Sequence, residues 1–307
     1  MLQILGRNNH TRIISVLAIL AVLYLGVITY KRFTRKEGFS EVEGKYTIKR
    51  EDQIYDDYYA SLYDKIYEPN IIAKETAEFV IKFTHADKTK SVMLDCGSGT
   101  GELTNYVQER GFNIIGVERS EDMIEYALNK YPEIKVKQGD VMTPMLFDKA
   151  TFSHILCIGV QNPIYQTKDK NTLFRNFYHW LIPHGYLVIQ LVDRNKFNPI
   201  PPSGRSDVLE NPQELAKTRF TDTEISFVDF QYKSNYDFSK GNECVKITET
   251  FTDGVKNVRQ NEVMMYMNDV DDIIKIAREC GFIVHGQMNL LQTIGDEYQY
   301  IFLLERI

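Results

Sequence analysis

A glycine-rich turn that begins with an acidic residue is the feature of this sequence best suited to do chemistry. The apolar run at 92–94 ends in Asp95, and glycines follow at positions 97, 99 and 101 before a helical pattern begins at Glu102. A strand, a tight glycine turn and a helix start form the geometry of a nucleotide-type cofactor site in an open α/β sheet. Glycine is needed in such a turn because any side chain would hold the backbone away from the ligand.

The spacing of this turn indicates which cofactor it suits. A dinucleotide fingerprint would place a small residue at position 102, where this chain has Glu102, and Asp95 would repel a pyrophosphate. Asp95 would suit a cationic ligand, and S-adenosylmethionine (SAM) carries an ammonium and a sulfonium but no phosphate. The run from Asp95 to Gly101 resembles motif I of the class I SAM-dependent methyltransferases, an acid followed by G-x-G-x-G.

Two further acids follow the next two apolar segments, in register with the glycine turn. Glu118 ends the predicted strand 113–118, 23 positions after Asp95, where a carboxylate can accept both ribose hydroxyls of an adenosine. The resemblance implies that Asp140, at the end of segment 134–140, approaches the adenine amino group and that Met123 packs on adenine. The predicted cofactor-binding residues are Tyr55, Tyr63, Asp95, Cys96, Gly97, Ser98, Gly99, Gly101, Glu118, Arg119, Met123, Asp140, Val141 and Cys157.

The remaining pattern predicts a Rossmann-like class I methyltransferase fold. This α/β fold has a mostly parallel seven-stranded sheet, helices on both faces and a reversed last strand. Segments 152–158 and 186–191 supply the fourth and fifth strands, and the turn between them resembles the family's L-x-P-G-G with His184 in place of the first glycine. A helix at 270–280, ended by Gly281, and a hairpin of about 282–290 and 298–305 complete the sheet.

An insertion and an N-terminal helix are expected to cover the site. Residues of about 197–265 break the βαβ rhythm and predict a small antiparallel sheet from segments 225–232, 245–252 and 258–266, with a hairpin turn at Asp253-Gly254. This insertion resembles the one over the substrate pocket of sugar-amine and amino-acid N-methyltransferases. The tyrosines between Tyr55 and Tyr63 resemble the helix that lies over the cofactor as a lid in small-molecule methyltransferases.

The predicted catalytic residues lie where the methyl group of SAM would meet an acceptor. They are Tyr59 of the tyrosine helix and Gln161, Asn162 and Tyr165 of the loop after the fourth strand. Methyl transfer from a sulfonium is an in-line displacement, so the protein mainly positions and desolvates the nucleophile, and a general base is needed only for a protonated or weakly acidic acceptor. For each of these side chains, a place in the pocket wall or in packing stays open.

Composition narrows the class of protein. The chain of 307 residues is long enough for one large α/β domain with an insertion, and its net charge of −6 argues against a nonspecific nucleic-acid binder. The four cysteines are scattered and form no C-x-x-C pair, so no metal site is predicted.

The N-terminal segment predicts a membrane anchor. Residues 13–30 are an uncharged apolar run that, at about 1.5 Å per residue, would span about 27 Å as a helix, close to the hydrocarbon thickness. A cleaved signal peptide is the alternative. Basic residues are denser after the run than before it, which places the C-terminal side in the cytosol. The predicted organisation is an N-terminal tail at 1–12, a transmembrane helix at 13–30, a basic and polar tether at 31–50 and the methyltransferase domain at 51–307.

The sequence therefore predicts a single-pass, membrane-tethered SAM-dependent methyltransferase whose acceptor is small or amphipathic. A lipid-like acceptor is favoured, because the tether would raise its local concentration. Two alternatives stay open: a SAM-binding scaffold without turnover, and an N-methyltransferase of a soluble amine or sugar. Glu102 and the alternate glycines disfavour a nucleotide-dependent oxidoreductase. The acceptor site is expected between the tyrosine helix, the loop at 159–165 and the inserted strands.

Overall fold

The computed structural model describes residues 17, 20–25, 46–205, 213, 218–241 and 243–307. Two compact units divide the chain, Met1–Glu37 and Gly38–Ile307. In the first unit the described residues, Leu17 and 20–25, are helical. The predicted tail 1–12, most of the predicted membrane span 13–30 and residues 31–45 of the predicted tether lie outside the described residues. Within the residues that are described, no helix has the length and apolarity required to cross a membrane.

The second unit contains the strands and helices that build the site. Its strands are β1 (Tyr46–Arg50), β2 (Val92–Cys96), β3 (Asn113–Glu118), β4 (Val136–Gln138), β5 (Phe152–Cys157), β6 (Leu181–Val192), β7 (Asp222–Ser226), β8 (Phe230–Asp237), β9 (Cys244–Asp253), β10 (Val258–Tyr266), β11 (Phe282–Leu290) and β12 (Asp296–Arg306). Its α-helices are α1 (Asp57–Tyr67), α2 (Pro69–Phe83), α3 (Glu102–Glu109), α4 (Glu121–Lys130), α5 (Pro163–Gln166), α6 (Lys170–Trp180), α7 (Val270–Glu279) and α8 (Leu291–Ile294).

The larger sheet has seven strands in the order β11-β12-β6-β5-β2-β3-β4. The strands from β6 to β4 run parallel, whereas β12 is antiparallel to both of its neighbours. Met93 packs with apolar residues of α2 and α3, and the next residue, Leu94, packs with α6 and α7, because successive side chains of a strand point to opposite faces. The predicted Rossmann-like sheet with helices on both faces and a reversed last strand is confirmed.

The smaller sheet has five strands in the order β1-β10-β9-β8-β7. The strands β7 to β10 form an antiparallel meander inserted between β6 and α7, as the aromatic and β-branched pattern predicts. Two predictions need correction here. Residues 46–50, predicted as the end of the tether, form β1 and pair in parallel with β10. This pairing joins segments about two hundred residues apart, so no local turn signal reveals it.

The second correction concerns segment 225–232, which is predicted as one strand. The chain turns within it, and the backbone N–H of Phe227 donates to the carbonyl of Phe230 at 2.9 Å. Their rings stack at 4.6 Å, so the two aromatic residues pack across the turn instead of along one strand. High β-propensity on both sides of a short turn conceals the turn in the sequence.

Polar contacts at the start of helix α1 fix it to the smaller sheet and to the start of helix α4. The Asp56 side chain accepts from the backbone N–H of Tyr59 and caps the helix. The same carboxylate receives the fully buried guanidinium of Arg259, on β10, at 2.7 and 2.9 Å. The Ser120 hydroxyl, at the start of α4, donates to the Tyr55 carbonyl at 2.5 Å. As a result, the tyrosine face of α1 lies between the inserted sheet and the carboxyl ends of the parallel strands.

Candidate active site

The glycine turn between β2 and α3 brings bare backbone to the sheet edge. Gly97 and Gly99 have φ of 74° and 52°, in the left-handed region that side chains disfavour. A Cβ on Gly97 would come within 3.1 Å of Pro163 Cδ. Gly101 has a different role: a Cβ there would meet Ile134 at 2.7 Å, so this glycine allows the start of α3 to pack closely.

A cavity of about 940 Å³, here called the larger cavity, opens in front of this turn. Glu118 lines it, and three backbone N–H groups hold its carboxylate: Arg119 and Ser120 donate to Oε1 at 2.7 and 3.0 Å, and Gly99 donates to Oε2 at 3.1 Å. Asp140 lines the same cavity, and its Oδ1 accepts from the backbone N–H of Met142 at 2.8 Å. Both carboxylates are therefore oriented by backbone donors at the ends of neighbouring strands.

The other predicted binding residues of the larger cavity form its walls. Met123, 2% exposed, and Val141, 6% exposed, supply apolar surface beside Asp140. Tyr55 also lines this cavity, and its hydroxyl accepts from the Gln166 side-chain amide at 3.1 Å. Arg119 pairs with Asp52 at 2.6 Å, so its charge is matched at the cavity rim.

A second, narrower cavity of about 120 Å³, here called the smaller cavity, adjoins the larger one. Tyr63, Gly97, Gly99 and Gln161 line both, so the two spaces meet at the glycine turn. Asp95 and Ser98 line the smaller cavity, whose other walls are mainly apolar and aromatic: Tyr67, Ile72, Ile158, Val160, Phe197, Pro199, Ile200, Pro201, Pro202 and Tyr236.

Asp95 is a charged group on the wall of the smaller cavity, two residues before Gly97, and its carboxyl is buried. Its Oδ2 accepts from the Thr104 hydroxyl at 2.8 Å, and the residue is 3% exposed. Burial raises the pKa of the Asp95 carboxyl to about 7, against the opposing effect of the Thr104 hydrogen bond. A cationic ligand would favour the ionised form, which makes this carboxylate a receptor for positive charge.

A buried carboxylate behind the smaller cavity is the main feature that sequence reasoning missed. Glu249, on β9, is 0% exposed, and its Oε1 accepts from the hydroxyls of Tyr67 at 2.6 Å, Tyr232 at 2.9 Å and Tyr59 at 3.3 Å. Tyr67 Oη in turn accepts from Gln161 Nε2 at 2.9 Å. Alternation along β9 could have indicated that Glu249 points to the buried face, between the apolar Ile247 and Phe251.

Several predicted site residues make structural contacts and do not line either cavity. Asn162 caps α5, with Oδ1 accepting from the backbone N–H of Ile164 and Nδ2 donating to the Gln190 carbonyl. The Tyr165 hydroxyl accepts from the backbone N–H of Val192 in the core. Cys96 and Cys157 are fully buried, and Tyr59 reaches Glu249 but not the cavity surface. The loop at 159–165 thus contributes Val160 and Gln161 to the cavity walls, and Asn162 and Tyr165 to packing.

No metal-binding arrangement is found in the part of the chain that the structure describes. There, no group of three or more His, Cys, Asp or Glu side chains could hold a metal ion.

Comparisons with known proteins agree with this geometry. Residues 93–185 match the family model described as a methyltransferase domain. An uncharacterized methyltransferase of Alkaliphilus oremlandii is 37% identical over 57 residues, which are 19% of this chain and 26% of that protein. Phosphoethanolamine N-methyltransferase 1 of Zea mays is 28% identical over 130 residues, 38% of this chain and 23% of that protein.

A solved structure shares the fold over most of the chain. The SAM-dependent methyltransferase from Clostridium acetobutylicum superposes with a TM-score of 0.59 at 18% identity, over 81% of this chain and 98% of that one. Residues 93–185 therefore match a methyltransferase domain, and the solved structure shares the fold of most of the chain. The chain spans about a quarter of the length of the two curated relatives named above, so the activity of the whole protein is a matter for proposal and test.

Proposed function

We propose that this protein transfers the methyl group of SAM to a small or amphipathic acceptor bound in the smaller cavity. The observation that carries the proposal is the junction of the two cavities at Tyr63, Gly97, Gly99 and Gln161. A cofactor in the larger cavity would extend its sulfonium end across this junction, where an acceptor could approach in line. Holding the two reactants in this orientation is the main contribution expected from such an enzyme.

The residues present fit SAM in shape and in charge. The larger cavity is within the usual size range of ligand sites, about 300–1,000 Å³. Glu118 and Asp140 offer acceptors to the ribose and the adenine amino group, and Asp95 offers a negative charge to the ammonium and sulfonium. The Ser98 hydroxyl, on the wall of the smaller cavity, is buried and has no hydrogen-bond partner among the described residues, so it could serve a ligand.

The walls of the smaller cavity favour an acceptor with both apolar and polar parts. Aromatic rings and prolines form most of its surface, whereas Gln161, Tyr67 and Arg205 bring polar groups to it. These walls come from α1, from the 159–165 loop and from the inserted sheet through Tyr236, which supports the predicted place of the acceptor. Amines are an acceptor class to test first, because a relative of the methyltransferase domain is named a phosphoethanolamine N-methyltransferase. A nucleic-acid acceptor is not expected.

The proposal includes a membrane tether at residues 13–30 with the catalytic domain on the cytosolic side. Its support is the uncharged apolar run and the basic residues that follow it. Carbonate extraction of the full-length protein should leave it in the membrane pellet, and protease added to intact cells should spare the domain. Release by carbonate would argue for a cleaved signal or a peripheral helix.

Methyl transfer itself can be tested with SAM labelled on its methyl group. The full-length protein is incubated with phosphoethanolamine, amino sugars, phenols and phosphatidylethanolamine vesicles, and label in each acceptor is counted. We expect label in at least one small or amphipathic acceptor, together with release of S-adenosylhomocysteine. SAM binding by calorimetry without transfer to any of these acceptors would favour the scaffold alternative instead.

A further inference from the structure

Glu249 is a buried carboxylate held by hydroxyl groups instead of by a cation. In the described residues, its hydrogen bonds come from Tyr59, Tyr67 and Tyr232 and, at 3.3 Å, from the side-chain amide of Asn261. A charge placed in a protein interior is costly unless donors surround it. A core of apolar residues would pack this position at lower cost, so the carboxylate calls for a functional explanation.

The polar, charged and titratable groups that face Glu249 come from three elements. Helix α1 contributes Tyr59, Tyr63 and Tyr67, with Tyr55 just before it. Strand β8 contributes Tyr232 and Tyr236. Strand β10 contributes Asn261 and, beyond it, Arg259, whose charge is already paired with Asp56. Burial, followed by the charge of Glu249, raises the pKa of Tyr67 well above its usual value, so this phenol is neutral at physiological pH.

Tyr67 connects this carboxylate to the smaller cavity. Its side chain lines the cavity, whereas Tyr59 and Tyr232 do not. Its oxygen lies 2.6 Å from Glu249 Oε1 on one side and 2.9 Å from Gln161 Nε2 on the other. The Oε1 atom of Gln161 is buried and has no partner among the described residues, in a side chain that lines both cavities. An unpaired acceptor at this position is suited to an N–H group of a bound ligand.

We propose that Tyr67 and Glu249 form a proton relay that deprotonates an ammonium acceptor before methyl transfer. Gln161 Oε1 orients the acceptor nitrogen. Tyr67 receives a proton from the acceptor ammonium, and Glu249 takes up the proton that Tyr67 releases. The acceptor class is then an alkylamine, either free or as the headgroup of a lipid. This inference rests on the methyl transfer proposed above.

The relay balances in two steps. The acceptor ammonium gives a proton to the Tyr67 oxygen while the Tyr67 hydroxyl proton passes to Glu249 Oε1, leaving a neutral amine and a protonated Glu249. The nitrogen lone pair then bonds to the methyl carbon of SAM, the carbon–sulfur bond breaks, and its electron pair stays on sulfur. The products are an N-methylammonium and S-adenosylhomocysteine, and the proton on Glu249 returns through the Tyr67 hydroxyl to water in the smaller cavity after the products leave.

Two variants of the full-length protein remove the relay without altering the larger cavity. Glu249→Gln keeps the side-chain size but removes the proton acceptor, and Tyr67→Phe removes the connecting hydroxyl. General bases contribute about 10²–10⁴-fold to rate, so we expect kcat to fall by about a hundredfold or more in each, with unchanged SAM affinity by calorimetry. Tyr232→Phe also removes a hydroxyl from Glu249 but leaves the cavity wall intact, so its loss should be smaller. Glu262→Gln, on the same sheet, is the control for a carboxylate outside the relay.

The pH profile separates a relay from a structural role. Below the pKa of the amine, about 10.4 for an alkylammonium, the relay variants should depend on amine that is already neutral in solution. The rates of the relay variants should therefore rise about tenfold per pH unit, whereas the wild-type rate should rise less steeply because the relay deprotonates the bound ammonium. The substrates are phosphoethanolamine and phosphatidylethanolamine vesicles, which distinguish a free amine from a lipid headgroup, with a phenol as the non-amine acceptor.

Each outcome decides between the proposals. A wild-type protein that methylates an amine at the same rate and with the same pH profile as both variants would overturn the relay and leave the proposed function intact. Methylation of the phenol but of neither amine would overturn the amine assignment. A wild-type protein that methylates nothing would contradict the proposed function, and the relay with it.

Discussion

The two cavities that meet at Tyr63 and Gln161 are built in different ways. Two acidic groups of the larger cavity follow the strands in chain order: Glu118 ends β3, and Asp140 lies two residues after β4. The smaller cavity and the carboxylate behind it bring together Tyr67 and Glu249, which are 182 positions apart. In the proposed function, cofactor recognition would therefore be local in this sequence, whereas acceptor recognition would depend on the packing of an inserted sheet against one helix.

The largest loss of stability is expected from breaking the contact that holds α1 against the inserted sheet. Arg259→Ala would leave the Asp56 carboxylate without the buried guanidinium that fixes α1 to the inserted sheet, and breaking such a pair costs about 3–5 kcal/mol. Urea unfolding should show this loss. Arg50→Ala is the matched control, because Arg50 pairs with Glu262 on the same sheet but is 62% exposed, and a surface pair contributes about 0–1 kcal/mol. Equal losses in the two variants would mean that α1 is held by other contacts.

The next largest effect is a loss of SAM affinity when the negative charge of Asp95 is removed. Asp95→Asn should weaken SAM binding by about 1.5–3 kcal/mol, because it removes a charged partner of the ammonium. The wild-type affinity should fall as the pH drops below about 7, where Asp95 takes up a proton. The amide variant should show no such dependence. Calorimetry between about pH 5.5 and 7.5 keeps the SAM amino group charged, since its pKa is about 7.7–8.0.

If SAM affinity depends on pH in the same way in the wild type and in Asp95→Asn, Asp95 does not interact with the cofactor. The cofactor would then be held by the larger cavity alone.

A smaller loss of stability and of SAM affinity is expected when a side chain is added to the glycine turn. Gly97→Ala places a side chain in a left-handed conformation, which costs about 1–2 kcal/mol, and sets a Cβ against Pro163. Thermal unfolding should record this cost, and SAM affinity should fall in parallel. Gly254→Ala, in the open turn between β9 and β10, is the control, with a change within about 0.5 kcal/mol. A stable Gly97→Ala with full SAM affinity would remove the backbone argument for the cofactor site.

The same contrast explains how much could be predicted from the sequence. Strand, turn and acid occur together at Asp95 and Glu118, so the larger sheet and the groups of the larger cavity could be inferred from spacing. Gln161, four residues after the end of β5, lines both cavities, and its place in the loop after that strand indicated this position. Its neighbours Asn162 and Tyr165 have equally suitable side chains, but hydrogen bonds to the backbone at Gln190 and Val192 hold them in the core.

The pairing of β1 and the surroundings of Glu249 could not be predicted, because both depend on contacts between residues far apart in the sequence. Strand β1 pairs with β10, about two hundred positions away, and no turn or periodicity in the sequence indicates such a pairing. Glu249 is one acid among the alternating residues of β9, and only the packing of α1 shows that tyrosine hydroxyls surround it. The membrane span at residues 13–30 and the cytosolic position of the domain stay predictions from hydropathy and charge.

The central claim is that SAM lies in the larger cavity with its ribose on Glu118. Calorimetric titration of SAM into the wild type and Glu118→Ala tests it most directly, with Glu125→Ala as the control for an exposed acid on the neighbouring helix α4. A carboxylate that accepts hydroxyl hydrogen bonds contributes about 1.5–3 kcal/mol, so Glu118→Ala should bind SAM about ten- to a hundredfold more weakly, while Glu125→Ala binds as the wild type does. An unchanged affinity in Glu118→Ala would contradict the account.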